Sequence, residues 1–241
     1  MCTVTIIPKG KNGFVLTSNR DEDPSRQSLN PDFYLAEGVK LLYPKDEMSG
    51  GTWVGISEKN RCVCILNGGF EKHERKPSYR KSRGVVAKDF LIADAIETSL
   101  ETYNLNAIEP FTMLVVDWND VLRLFELVWD GEKKHIKELS LEAEIWSSST
   151  LYSDPMKKKR KQWFETFKKD NELTVDSLLR FHKSAGENND DYGVIMDRGF
   201  VKTTSITQVI KADDAIEMHY ENLQNNQKAS TVFNLRQTVN E

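Results

Sequence analysis

The order of strand and helix signals along the chain is the feature that most constrains its fold. Strand-like segments fill the first seventy residues, and strand signals return over residues 111–147 and again from residue 192. Helix signals lie between them, over residues 86–103 and 155–183. Because helices do not alternate with single strands, this order favours sheets packed with helices, the α+β class, over repeated βαβ units.

Alternating polar and apolar residues locate the individual elements. The region between residues 21 and 49 is predicted to be a long polar loop, broken by three prolines and holding one short strand near 39–43. A single amphipathic helix is expected after Gly84, as far as about residue 103. Nothing resembles a linker, so we expect one domain over residues 1–241. The predicted strands are 4–7, 14–17, 52–56, 62–66, 111–118, 121–128, 135–139, 144–147, 192–196, 201–210 and 231–235.

Composition excludes several classes of protein. The formal net charge is −4 and 29% of residues are charged, which argues against wholesale nucleic-acid binding. No apolar run reaches the ~18–20 residues of a membrane span, so no integral membrane association is expected. The chain opens without a secretory signal pattern, and its three cysteines are too few for a disulfide framework. We therefore expect a cytoplasmic protein.

Cys2 is the first residue with a chemical implication. If Met1 is removed, one residue carries both a thiol, with a pKa of about 8.5, and a free α-amine, with a pKa of about 8. The amine can then act as a general base for the thiol without a separate histidine. The structural alternative is that Cys2 is a small apolar residue opening an edge strand.

Four further motifs resemble one protein family. The run Asn19-Arg20-Asp21-Glu22 resembles the NRDE family, which includes the transport and Golgi organisation protein 2 group. The segment 50–57, reading Gly-Gly-Thr-Trp-Val-Gly-Ile-Ser, is similar to a stretch of that family. The family also places an asparagine at the end of the next strand, as Asn67 is here, and its serine-arginine-glycine element resembles residues 82–84.

The NRDE family is in turn similar at its start to N-terminal-nucleophile (Ntn) hydrolases of the choloylglycine hydrolase and penicillin acylase type. The resemblance implies an αββα sandwich of two antiparallel sheets between helical layers. It also implies hydrolysis of a linear or cyclic non-peptide amide through an acyl-enzyme on Cys2. No metal or organic cofactor is implied.

Each candidate residue has a role in this hypothesis and a structural alternative. Arg20 would stabilise the thiolate and Asp21 would hold the α-ammonium, although such a dipeptide is also a common structural pair at a strand end. Asn67 would donate to an oxyanion, with the N–H of Gly68 or Gly69 as a partner, although Asn-Gly-Gly is also a typical turn. Arg26 and Arg83 are candidates for contact with an anionic substrate group, and Asn19 is a further candidate catalytic residue.

Two departures from the hydrolase pattern leave a second function open. Ser149 stands where the hydrolases carry a second asparagine, and Lys202 where they carry a late arginine. The alternative is a non-catalytic protein that binds or traffics haem or an acyl lipid on the same fold. The expected partner is thus a small amide or a hydrophobic ligand, and the sequence does not indicate an oligomeric state. The basic cluster 157–161 suggests a third possibility, an interaction surface, although lysines on a helix usually face water.

Overall fold

The computed structural model describes residues 3–234; Met1, Cys2 and residues 235–241 lie outside the described part. Six strands precede the first helix: β1 (Thr3–Lys9), β2 (Gly13–Glu22), β3 (Ser28–Ala36), β4 (Val39–Asp46), β5 (Val54–Ser57) and β6 (Arg61–Asn67). Two helices and four strands follow: α1 (Arg83–Ile92), α2 (Ile96–Thr102), β7 (Phe111–Asp117), β8 (Arg123–Trp129), β9 (Lys134–Leu139) and β10 (Glu144–Ser147). The last elements are α3 (Asp154–Asp170), α4 (Val175–Ser184), β11 (Lys202–Ala212), β12 (Ala215–Asn222) and β13 (Lys228–Asn234).

These elements form four layers. One antiparallel sheet has the order β10-β1-β2-β11-β12-β13, and the other has the order β3-β4-β5-β6-β7-β8-β9. Helix α1 packs on β5 and β6, and α2 contacts β9; helix α3 packs on β10, and α4 on β2 and β11. The predicted α+β class and the sandwich of two antiparallel sheets between helices are confirmed.

Side-chain alternation explains why the first two strands are buried on both faces. Val4 and Leu16 join the core between the sheets, whereas Ile7 and Val15 pack under α3 and α4. Successive side chains of a strand point to opposite faces, so each strand contributes to both layers. Within residues 3–234, no helix combines the length and the apolar character that a membrane crossing requires.

The predicted loop over residues 21–49 is wrong, because β3 and β4 occupy most of it as an antiparallel pair. Pro31 suggested a break in secondary structure. It lies at a register shift of β3, an edge strand, where a missing N–H removes no ladder hydrogen bond.

The single helix predicted to residue 103 is two helices. Arg61, buried at the start of β6, donates from Nη1 to the carbonyl oxygens of Phe90 (2.9 Å) and Ala93 (2.7 Å). These are among the carbonyls that a helix end leaves without a partner, so the guanidinium stabilises the end of α1 at this point.

The C-terminal third also differs from expectation. Residues 192–196 form turns rather than a strand, since Gly193 and Val194 donate to the carbonyls of Asn189 and Ala185. Strand β12 was not predicted. The expected strand 231–235 corresponds to β13, which ends at Asn234; Leu235 lies outside the described residues.

The capping and orientation of the two long helices agree with the sequence. Thr174 accepts from the N–H of Ser177 and so caps the start of α4. In α3, Lys158, Lys159 and Lys161 are exposed while Phe164 is buried, as expected where the lysines of a helix face water.

Candidate functional site

A cavity of about 320 Å³ lies where β2 and β6 end. Arg20, Trp53 and Asn67 contribute to its wall. Arg26 and Arg83, the two predicted substrate contacts, also line it. The fold therefore brings together four of the predicted site residues from three separate parts of the chain.

Arg20 is held firmly at the wall of this cavity. Its side chain is 2% exposed and its Nη2 lies 2.8 Å from Asp46 Oδ2. Nη1 donates to Thr204 Oγ1 at 3.1 Å, and the guanidinium carbon lies 4.7 Å from the centre of the Trp53 ring. Stacking and paired hydrogen bonds fix the position of the positive charge.

Asp46 is shared between two arginines. Besides Arg20, its carboxylate accepts from Arg26 Nε (2.7 Å) and Nη2 (3.0 Å), and from the N–H and hydroxyl of Ser49. Burial opposes the charge of Asp46, but the hydrogen bonds from Arg26 and Ser49 hold its pKa below the usual value. Burial likewise opposes the charge of Arg26, yet Asp46 and the nearby Glu22 raise its pKa.

A second arginine–carboxylate group also lines the cavity. Arg83 Nη2 is 3.3 Å from Glu109 Oε2, and Arg75 Nε is 4.0 Å from Glu109 Oε1. Burial lowers the pKa of Arg83, and the charge of Glu109 opposes this shift. A guanidinium remains charged in proteins even so.

Asn67 is presented by the end of β6 and by a tight turn. Gly68 has φ +88°, and a Cβ on it would lie 3.0 Å from Thr150 Cγ2. The Asn67 carbonyl accepts from Ser148 Oγ at 2.7 Å. No described residue hydrogen-bonds to the Asn67 side-chain amide, which leaves that amide available to a ligand. The N–H groups of Gly68 and Gly69 were the two candidates for a second oxyanion donor beside Asn67. That of Gly68 already donates to Pro110 O at 3.0 Å.

Ser149 packs behind this turn rather than in the cavity. Its hydroxyl donates to Gly69 O at 2.5 Å and accepts from Lys157 Nζ at 3.2 Å. Ser149 lines a neighbouring depression of about 400 Å³ beside the start of α3. It supports the glycine turn from which Asn67 projects, while the catalytic role suggested for it stays a prediction.

Asp21 lies on the opposite face of β2 from Arg20. Its Oδ1 accepts from Thr203 Oγ1 and its Oδ2 from the Tyr152 hydroxyl, both at 2.6 Å. The Tyr152 ring in turn stacks against Arg160, with the guanidinium carbon 3.6 Å from the ring centre. The sequence treated Arg20 and Asp21 as neighbours at one site, but strand alternation separates their side chains.

Asn19 shares the face of Asp21 and belongs to a buried network. Its Oδ1 lies 2.7 Å from His182 Nδ1, and its Nδ2 donates to the carbonyls of His182 and Val194. His182 Nε2 lies 2.8 Å from Thr5 Oγ1. Burial, with a smaller effect of Arg160, lowers the pKa of His182 to about 3. Asn19 does not line the cavity, and its contacts join β2 to α4.

Lys202 is also away from the cavity wall. It opens β11 and pairs with Glu22 of β2 through the backbone ladder. The structure instead adds two side chains to the predicted site, Asp46 and Glu109. Asp46 fell in the region predicted to be loop, and no motif marked either residue.

Cys2 lies outside the described residues, and the residue after it, Thr3, opens β1. Thr3 pairs with Asn19 of β2 and with Ser147 of β10. Arg20 is the next residue of β2, and Ser148, the residue after β10, donates to the Asn67 carbonyl. The start of β1 is therefore flanked by the strand that carries the candidate thiolate stabiliser and by a segment that is hydrogen-bonded to the candidate oxyanion donor.

The described residues contain no cluster of histidine, cysteine and carboxylate side chains suited to a metal ion. Cys62 and Cys64 lie in the core between the sheets, and burial raises the pKa of Cys64 to about 12. Neither is a nucleophile at neutral pH, because a thiol must be deprotonated to attack.

Comparison with known proteins agrees with this architecture. No curated protein sequence matched the chain. A conjugated bile acid hydrolase variant from Clostridium perfringens superposes with a TM-score of 0.54 and 12% identity, over 99% of this chain and 100% of that chain. A Caenorhabditis elegans N-acylethanolamine-hydrolyzing acid amidase ortholog gives 0.57 and 10%, over 86% and 92%. Penicillin V acylase from Agrobacterium tumefaciens gives 0.54 and 10%, over 95% and 85%.

These three proteins are of the Ntn-hydrolase type, and likeness at such low identity shows a shared fold. The family comparison is more direct. The family described as Transport and Golgi organisation 2 matches residues 1–233, which is almost the whole chain. The protein therefore belongs to the Transport and Golgi organisation 2 family.

Proposed function

We propose that the protein is an N-terminal cysteine amidohydrolase that cleaves a small non-peptide amide, linear or cyclic, through an acyl-enzyme. One observation carries the proposal: Arg20 and Asn67 line the same cavity, and Thr3, the residue next to Cys2, pairs with β2, which bears Arg20, and with Ser147 of β10. A protein acting in a reducing cytoplasm would keep Cys2 as a thiol.

The chemistry requires removal of Met1. The free α-amine of Cys2 takes the thiol proton, and the sulfur attacks the amide carbon. The C–N bond then breaks, the proton passes to the leaving nitrogen, and a thioester remains. Water, deprotonated by the same amine, attacks the thioester and regenerates the thiol while releasing the acid.

The neighbouring residues have separate roles in this scheme. The Asn67 amide donates to the oxyanion of each tetrahedral intermediate. Arg20 favours the thiolate, although sharing its charge with Asp46 weakens that effect. Asp21, fixed by Tyr152 and Thr203, holds the α-ammonium in the protonated step. Arg26 and Arg83 contact the substrate from the cavity walls.

The test begins with the chain expressed from its own start without an N-terminal tag. Intact mass shows whether Met1 is lost, and a panel of small amides is then assayed for acid release. Cys2→Ala is expected to abolish turnover, and Asn67→Ala to lower kcat by about 10²–10³. Cys64→Ala is the matched control and keeps its activity, because that thiol lies in the core. Full turnover by Cys2→Ala, or complete retention of Met1, would refute the proposal.

A binding function has support from a different part of the surface. Trp163, Phe167 and Phe181 line a groove of about 400 Å³ between α3 and α4, and an acyl chain or haem needs such apolar walls. The cavity beside Asn67 is lined mainly by charged and polar side chains, which oppose burial of an apolar ligand. Stoichiometric binding of haem or an acyl lipid that Trp163→Ala weakens, with Met1 retained, would favour this alternative over the hydrolase.

A further inference from the structure

The cavity beside Asn67 has an excess of positive charge. Three of its lining side chains are carboxylates, and twice as many are basic. The basic residues are Arg20, Arg26, Arg75, Lys76, Lys81 and Arg83. Since the whole chain has a formal net charge of −4, this local excess is opposite in sign to the protein. A concave surface of one sign concentrates ligands of the other.

The internal ion pairs do not neutralise this excess. Arg20 and Arg26 share two carboxylates, Asp46 and Glu22, so this group is balanced. Arg83 and Arg75 share Glu109, which offsets one of their two guanidinium charges, so this second group keeps about one positive charge. Guanidinium groups bind carboxylate and phosphate oxygens with paired hydrogen bonds.

Two other features of the wall favour a ligand with oxygen acceptors. Helix α1 begins at the cavity with Arg83 and Gly84, and its first turn holds no acidic residue to offset the helix dipole. Trp53 is 2% exposed, and no described residue accepts from its Nε1–H. A buried donor of this kind is costly unless a partner is supplied, and a bound ligand can supply one.

The volume limits the size of the ligand. A cavity of about 320 Å³ is at the lower end of the range for small-molecule sites. It corresponds to roughly ten water molecules at about 30 Å³ each. A compact molecule fits, whereas a long chain would extend into solvent.

We propose that this cavity selects small amides that carry an oxyanion group, a carboxylate or a phosphate. Arg75 and Arg83 bind the anionic group, while the amide lies towards Asn67 and Arg20. The anion site is defined by the cavity itself, and only the identification of the ligand as an amide rests on the proposed function. In this arrangement Glu109 sets the strength of the anion site, because it offsets the charge of the two arginines that bind the ligand.

The test measures binding rather than turnover. The full-length Cys2→Ala chain is titrated by calorimetry with N-butyrylglycine, its methyl ester and N-butyryl-phosphoethanolamine. At least one charged compound is expected to bind about 10-fold or more tightly than the ester, with an advantage that shrinks in high salt. Preference for N-butyrylglycine identifies a carboxylate, and preference for the third compound identifies a phosphate. Equal affinity for the ester would refute the proposal.

Substitutions of opposite expected sign separate charge recognition from structural damage. Arg83→Gln is expected to weaken binding of the anion by roughly 10- to 100-fold. The Arg75 side chain is 79% exposed, so Arg75→Gln should not disturb packing, and it should weaken anion binding by about 2- to 5-fold. Glu109→Gln should instead tighten binding several-fold, since both arginines lose their offsetting charge. Lys137→Gln, exposed on β9, is the control and leaves binding unchanged.

The outcomes distinguish this inference from the proposed function. Charge-selective binding without hydrolysis of any amide would support the anion site and count against the enzyme. Hydrolysis of neutral and charged amides at equal efficiency would leave the enzyme intact and overturn the anion site. Weaker anion binding by Glu109→Gln would also overturn the anion site, because the affinity would then reflect structural damage to the cavity rather than its charge.

Discussion

Replacing Asp46 by asparagine should cost a large share of the stability of the protein. The Asp46 carboxylate is the partner of two guanidinium groups that differ in their access to water. The Arg26 side chain is 30% exposed and can be solvated after the change, but Arg20 is 2% exposed and cannot. The substitution therefore removes the nearer counterion of a buried charge beside Trp53 and leaves Glu22, at 3.9 Å, as its remaining partner.

The size of the effect follows from this geometry. Breaking a buried ion pair costs about 3–5 kcal/mol when one charge stays behind. Asparagine keeps one oxygen as an acceptor for Arg20 or Ser49, so we expect the lower end, about 3 kcal/mol. In a domain of this size, each kcal/mol of lost stability lowers Tm by about 2–4 °C, so we expect Tm to fall by roughly 6–12 °C.

The pH dependence supplies a second check. The pKa of Asp46 is lowered in the folded protein, so its contribution is present above the unfolded value of about 3.9 and is lost as pH falls through the folded value. Urea unfolding of wild type and Asp46→Asn should thus differ by the full amount at pH 7 and by less at pH 3, which lies below the unfolded value. The control is Asp120→Asn, an exposed carboxyl in the β7–β8 turn. A cost below about 1 kcal/mol, or an equal difference at both pH values, would refute the reasoning.

Two further predictions concern the layers on either side of the site. Because burial lowers the pKa of His182 to about 3 from an unfolded value near 6.5, the unfolding free energy should fall as pH drops from about 6.5 towards 3. Urea titrations should show a smaller fall in His182→Gln; an identical slope would contradict this. Gly51→Ala should destabilise by about 1–3 kcal/mol and weaken anion binding, since its Cβ would lie 2.5 Å from the Gly84 carbonyl carbon at the start of α1. Unchanged urea midpoint and affinity would argue against this.

The sequence predicted most strands because their inward residues alternate with residues facing the helices. It failed where local signals opposed the tertiary outcome. Pro31 suggested a loop, yet the edge of a sheet tolerates proline. The periodicity of the α1–α2 region suggested one helix, yet Arg61, more than twenty residues upstream, caps the end of α1. Neither effect is visible in a window of neighbouring residues.

The candidate site was predictable to a similar degree. Arg20, Asn67, Arg26 and Arg83 were selected from motifs and all line one cavity. Asn19 came from the same run as Arg20, but odd and even positions of β2 face different layers, so Asn19 joins His182 instead. Attention to strand alternation would have separated these two residues in advance.

Local pattern and side-chain identity were enough to predict the α+β architecture, the family resemblance and the chemical type of the candidate residues. Which charges meet depends instead on how distant segments of the chain pack together. Asp46 and Glu109 carry no motif, and each lies more than twenty residues from one or both of its arginines. Electrostatic interaction depends on distance and burial in space rather than on separation along the chain. The balance of charge in the cavity was therefore set by the packing of the two sheets.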